Sequence, residues 1–136
     1  MSTIFSKIVS GDIPAHKVAE SNDFLAFLDI SPLTEGHVLV IPKKEVDYIF
    51  DMDDVSYMGL WTFAKIVALG LKKAFPCKKV GVAVVGLEVP HVHIHLVPLN
   101  EIGDMNFSKE KLKLSHEKLS IHAEKIRKAL EEVTSH

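Results

Sequence analysis

The run Pro90-His-Val-His-Ile-His-Leu-Val-Pro98 sets histidine on alternate positions, His91, His93 and His95, with Val92, Ile94 and Leu96 between them. Successive side chains of a β-strand point to opposite faces, so the spacing predicts a strand with three imidazoles on one face and an aliphatic core on the other. Imidazole is the side chain whose unperturbed pKa lies nearest neutrality, which lets one row hold a nucleophile, its orienting group and a proton carrier. Three readings are open. The row is a solvated strand face, against which repetition of one residue type argues. It is a zinc site, with two histidines at i and i+2 on one ion; neither Cys77 nor any acid is placed by sequence to complete the sphere. Or it is a centre for covalent catalysis.

The flanking pattern predicts what carries this strand. Ile4, Phe5 and Ile8 at helical spacing before Gly11 predict a short helix over Thr3 to Val9. His16 to Glu20 and Asp23 to Asp29 read as strands joined by Ser21-Asn22-Asp23, and His37 to Ile41 as a third strand closed by Pro42. Asp51, Asp53 and Asp54 open a long helix in which Val55, Met58, Ala64, Val67, Leu71 and Phe75 recur at 3 or 4. Lys78 to Val85 and His91 to Val97 are expected to pair antiparallel across a tight Gly86 to Pro90 connection, with the histidine row on a sheet edge or beside that turn. After an irregular stretch, Asn100 to Lys113, Ser115 precedes a terminal helix striped by Leu119, Ala123, Ile126, Leu130 and Val133. His116, His122 and His136 are expected to decorate it. The expected fold class is α+β: an antiparallel sheet of about five strands, a long central helix and a C-terminal helix. It forms one domain over residues 1–136, its core in 3–99 and its extension in 100–136.

Composition narrows the partners. A formal net charge of -2 gives no electrostatic case for a nucleic-acid backbone, so polynucleotide is not expected. No apolar stretch approaches the roughly 20 residues of a membrane helix. The single Cys77 and a start without a basic and apolar leader fit a cytoplasmic protein.

The motif His91-Val-His-Ile-His-Leu-Val resembles the signature of the histidine triad superfamily, nucleotide hydrolases and transferases. Ile4-Phe5-Ser-Lys-Ile8 with Gly11-Asp-Ile-Pro14-Ala, and Ala26-Phe27-Leu28-Asp29-Ile30-Ser31-Pro32 with Gly36-His37-Val-Leu-Val-Ile-Pro42-Lys43, are similar to its other segments. The nearest branch is the small nucleotide-binding hydrolases. The resemblance implies that His93 attacks the α-phosphorus of a nucleoside phosphoramidate or related ester, that His95 sits beside the phosphate oxygens, and that His91 and His37 support the row. It implies that Asp29 accepts both ribose hydroxyls, and that Phe5, Ile8, Phe27 and Ile30 line a slot for a purine base. Leu28, Glu88 and Val89 complete the implied nucleotide contacts. A hydrogen bond from the other His93 nitrogen to a backbone carbonyl would hold the attacking nitrogen unprotonated.

The chain also departs from that pattern. The connection before the triad is cut to Gly86-Leu87-Glu88-Val89, with Glu88 in place of a hydroxyl residue and Val85 in place of an Asn. A carboxylate near phosphate is repulsive unless it meets a cationic leaving group. Thr3 and Ser6 stand where some relatives carry a zinc-binding Cys pair, so no metal or other cofactor is expected. The resemblance implies a homodimer built on the long helix and neighbouring strands. The alternative to an enzyme is a nucleotide-binding module whose catalysis is weakened by the short loop.

Overall fold

The computed structural model describes residues 2–134. Helix α1, Ile4–Ser10, starts where the Thr3 hydroxyl accepts the Ser6 amide, and stops at Gly11, whose φ of 88° only glycine adopts freely. Strands β1 (Lys17–Glu20), β2 (Phe24–Leu28) and β3 (Val38–Pro42) follow, then a 3₁₀ turn at Ile49–Asp51 and helix α2, Asp54–Ala74. Strand β4 (Lys79–Ala83), β5 (Ile94–Leu99), a 3₁₀ turn at Ile102–Met105 and helix α3 (His116–Thr134) complete the order. The strands form one five-stranded sheet in the order β1-β2-β3-β5-β4, every pair antiparallel.

The sheet is apolar on both faces, and α2 and α3 cover one of them. Ala26, Leu28, Val38, Val40, Val92, Ile94 and Leu96 join Leu60, Ala64, Val67, Leu71, Leu119 and Ile126 in the larger core. The alternate residues Leu25, Phe27, Leu39 and Ile41 pack with Phe5 and Ile8 of α1 on the opposite face. Period-2 alternation thus supplies both layers from the same strands. Helices α2 and α3 meet closely at Gly70, where a Cβ would stand 2.4 Å from Leu130 Cδ2.

Several expectations are corrected. The triad strand is no edge: β5 lies between β3 and β4, and β4 is the outer strand. β4 ends at Ala83 and β5 begins at Ile94, so the connection is longer than the tight turn expected. His91 and His93 precede the strand, because the Val92 amide bonds the Val46 carbonyl at 2.7 Å instead of joining the ladder. In α2 the residues spaced at 3 and 4 belong to two stripes. Leu60, Ala64, Val67, Gly70, Leu71 and Ala74 are buried, whereas Val55 and Met58 are exposed with Ile66 and Leu69. Trp61 and Phe63 are half-buried against the helix-side core. His122 does not decorate α3: it is buried, with its ring edge-on to Phe75 at 5.0 Å. His116 lies exposed at the start of α3 with Nδ1 3.3 Å from His16 Nε2, and His136 lies outside the described residues. No helix among the described residues is long and apolar enough to cross a membrane.

Candidate active site

The register Leu39↔His95 sets β3 beside β5, and His37 stands two residues before Leu39 on the same face. His37, His91, His93 and His95 are all buried, at 1%, 0%, 7% and 8% exposure. A buried ring nitrogen must find a partner, and here the partners fix where each proton sits.

The Leu33 amide donates to His37 Nδ1 at 3.0 Å, so neutral His37 carries its proton on Nε2. That Nε2–H donates to His95 Nδ1 at 2.9 Å, so His95 carries its own proton on Nε2. His93 Nδ1 lies 2.7 Å from the His91 carbonyl oxygen, which can only accept; Nδ1 is therefore the donor and Nε2 keeps its lone pair. His91 Nε2 donates to the Pro42 carbonyl at 2.8 Å, leaving Nδ1 to accept from the Thr3 hydroxyl at 2.9 Å. Among these four rings the result is one uncommitted lone pair, on Nε2 of neutral His93, beside one uncommitted N–H, on His95, with ring centroids 4.9 Å apart.

Burial favours the neutral ring at His37, His91 and His95. It lowers the His37 pKa to about 3, helped by His95, and that of His95 to about 4, helped by His93. Burial also lowers His91, opposed by its bond to the Pro42 carbonyl and by the Glu45 charge. Asp29 is pushed above the usual carboxylate range, again by burial, with the Ser31 amide working against the shift. Its Oδ1 accepts that amide at 2.9 Å, and Oδ2 lies 3.7 Å from His37 Nε2.

Phe5 stands edge-on to His93 at 5.0 Å and to Phe27 at 5.6 Å, and Ile8 packs in the same cluster with Val89 at its margin. Thus His37, His91, His93, His95, Asp29, Phe5, Ile8, Phe27 and Val89 gather on one side of the sheet. Of the other expected contacts, one points away from them and two stand exposed. Leu28 points into the helix-side core, because it alternates with Phe27. Ile30 is exposed at 63%. Glu88 is exposed on the wall of a cavity of about 520 Å³ shared with Ser2, Thr3, Ile4, Glu45, Val89 and Pro90.

Other residues at the site are given no part in it by the sequence. Phe107, from the stretch after β5, stands edge-on to His95 at 4.9 Å, and the Lys111 charge acts on both His37 and Asp29. Thr3, Ser6 and Glu45 are tied to His91 through hydroxyl and carboxylate contacts. From the sequence, Thr3 and Ser6 signal only the lack of a Cys pair, and nothing in the spacing marks Glu45, Phe107 or Lys111. Among the described residues, Asp29, His37 and His95 are the group whose ligand atoms converge, all within 4.8 Å, in a manner that could hold a metal ion. An ion there would have to displace the His37–His95 hydrogen bond. His91 and His93 already commit one ring nitrogen each to a carbonyl.

Known proteins are similar to this chain in sequence and in fold. The family model described as HIT domain matches residues 10–102. A HIT-like protein of Borreliella burgdorferi is 36% identical over 123 residues, covering 85% of this chain and 88% of its own length. The adenosine 5'-monophosphoramidase of Schizosaccharomyces pombe is 41% identical over 100 residues, covering 72% and 74% respectively. The crystal structure of a Hit-like protein from Bartonella henselae superposes with a TM-score of 0.82 at 32% identity, over 94% of this chain and 96% of that one.

Proposed function

This chain belongs to the HIT domain family, and from that premise we propose that it is a nucleotidyl hydrolase working through a covalent nucleotidyl-His93 intermediate. Its substrates are nucleoside phosphoramidates or related esters and anhydrides of a purine nucleoside monophosphate, cleaved at the α-phosphorus. The observation that carries this reading is the 2.7 Å bond from His93 Nδ1 to the His91 carbonyl, which in the neutral ring puts the nucleophilic lone pair on Nε2. In the first step the Nε2 lone pair forms the bond to phosphorus as the bond to the leaving nitrogen or oxygen breaks. Water then attacks the same phosphorus, releasing the nucleoside monophosphate and restoring His93. The Nε2–H of His95 donates to the phosphate oxygens as negative charge builds on them. Asp29 takes the ribose, and Phe5, Ile8 and Phe27 take the base. The name of the Schizosaccharomyces pombe relative, an adenosine 5'-monophosphoramidase, agrees with this substrate class.

Glu88 favours an amine-bearing or cationic leaving group over a second nucleotide, and its exposure in a cavity shared with Glu45 is consistent with that preference. Faster cleavage of a dinucleoside polyphosphate than of an amine phosphoramidate would reject it. The exposed second stripe of α2, with Val55, Met58, Ile66 and Leu69, supports a homodimer through that helix, which sedimentation velocity would read directly.

Incubation with an adenosine phosphoramidate should add the mass of one nucleotidyl group to His93, most visibly when His95 is replaced to slow hydrolysis. His93→Ala should abolish turnover while still binding nucleoside monophosphate. Turnover by that variant would remove His93 from the reaction.

A further inference from the structure

We propose that Thr3, Ser6 and Glu45 are positioning residues: a hydrogen-bonded chain through them holds His91, and through His91 the nucleophile His93, in the orientation the reaction needs. The inference rests on the nucleotidyl-transfer reading above and names what aims its nucleophile.

The proton direction is fixed at both ends by groups that only accept. At one end the Glu45 carboxylate accepts the Ser6 hydroxyl at 2.7 Å and the Thr3 amide at 2.9 Å, both on Oε1. These bonds hold Glu45 below the usual carboxylate range, the Ser6 hydroxyl contributing most. At the other end the Pro42 carbonyl takes the His91 Nε2 proton. With the Ser6 proton committed to Glu45, the proton of the Thr3 hydroxyl is the one left to satisfy His91 Nδ1, and the link from Ser6 to Thr3 runs through the Ser6 amide rather than between the two hydroxyls. Thr3 Oγ1 meanwhile accepts the Ser6 amide at 3.0 Å, so the helix cap and the histidine clamp are one atom.

The contacts at the Glu45 end are exposed, and such contacts alone contribute little. The weight falls on His91, which is 0% exposed, so that its Nδ1 cannot exchange a lost Thr3 hydroxyl for solvent without moving. Movement of His91 is transmitted directly, because the His91 carbonyl is the acceptor that sets the His93 tautomer. Both residues precede the strand, so the β-ladder does not hold them. The Val92 and His91 amides, bonded to the Val46 and Val89 carbonyls, hold the backbone there, and side-chain hydrogen bonds orient the rings.

The test compares Thr3→Val, Thr3→Ser and Glu45→Ala by kcat and KM on an adenosine phosphoramidate, by melting temperature, and by the imidazole nitrogen NMR resonances of His91 and His93. Thr3→Val should lower kcat roughly tenfold or more with KM changed less than about twofold, as expected for a misaligned nucleophile. It should also shift the resonances of both rings. Thr3→Ser should recover most of the loss, and Glu45→Ala should show a smaller loss of the same kind. A folded Thr3→Val protein with kcat near wild type and unmoved His91 and His93 resonances would overturn the proposal. So would a kcat loss that Thr3→Ser fails to recover. Were the wild-type chain inactive on the phosphoramidate, the hydrolase reading would fall by itself, and the positioning chain would still be judged by the resonances.

Discussion

Acid should unfold this protein earlier than its carboxylates alone would dictate, because the buried His37 and His95 resist being charged in place. His37 and His95 have pKa values lowered from 6.5 to about 3 and about 4, so each binds a proton in the unfolded chain at a pH where the folded chain refuses it. Stability from a depressed pKa is complete above 6.5 and is lost as pH falls from there toward the folded value. Taking pH 5 against pH 7, the linkage relation gives about 2 kcal/mol for each group and about 4 kcal/mol for the pair. That is a large share of the roughly 5–15 kcal/mol that holds a typical domain together. His16, His91 and His122 are shifted in the same direction, also by burial first, and add to the loss. The raised pKa of Asp29 works the other way, since protonating it relieves a buried charge. Glu20, Glu45, Asp53, Asp104 and Glu132 are lowered from 4.5 or 3.8, so their losses fall below the histidine window. Urea unfolding at steps between pH 7.5 and 4.5 reads this directly: the midpoint should fall steeply below about pH 6.5 while the slope m stays constant. His37→Gln should remove about 2 kcal/mol of the loss between pH 7 and pH 5. A midpoint unchanged between pH 6.5 and 5, or one that rises, would refute the assignment of neutral, buried rings.

Asp29→Asn should raise KM for a ribonucleotide phosphoramidate by roughly tenfold, the weight of a hydrogen bond to a charged acceptor, and change the 2',3'-dideoxy substrate little. Equal effects on both would remove Asp29 from the ribose. Gly70→Ala gains about 1 kcal/mol of helix propensity but sets a Cβ 2.4 Å from Leu130 Cδ2 and 3.3 Å from Leu130 Cα, so α3 must shift. A net loss of about 1–3 kcal/mol is expected, seen as a lower melting temperature, and a higher one would contradict the packing. Treatment with a chelator should leave hydrolysis unchanged. A loss restored by added zinc would move Asp29, His37 and His95 from hydrogen bonding to metal ligation.

Features written in the side-chain period could be read directly, and those that depend on a competing partner could not. Alternation separated Val92, Ile94 and Leu96 from the three histidines, and the capping acid Asp53 stands at the start of α2. The same spacing rule merged two stripes of α2, because residues at 3 and 4 recur on its exposed face as well as its buried one. Strand pairing joins His95 to its neighbours, yet the sequence gives no sign that the Val46 carbonyl would capture the Val92 amide and draw His91 and His93 out of the ladder. Asp29, Phe5, Ile8 and Phe27 could be named from the resemblance. Leu28 could not be separated from them, since motif adjacency ignores which face a side chain takes. Phe107 and Lys111 come from a stretch without periodicity, where only the folded path brings chain to site.

The two hydrogen-bonded chains that meet at the triad end with opposite polarity, and this follows from what anchors them. One begins at a donor, the Leu33 amide, passes through His37 and leaves His95 with an outward N–H. The other ends on an acceptor, the His91 carbonyl, and leaves His93 with an outward lone pair. Reversing either would require a backbone amide to accept or a carbonyl to donate, so the nucleophile and the donor cannot trade places at neutral pH. Protonating His95 on Nδ1 would set two N–H groups against each other across 2.9 Å. His37 and His95 must therefore titrate as a unit rather than one by one. A proton entering this pair disarms the donor chain and loosens the β3–β5 contact in the same event, which couples the acid limit of the chemistry to the acid limit of the fold.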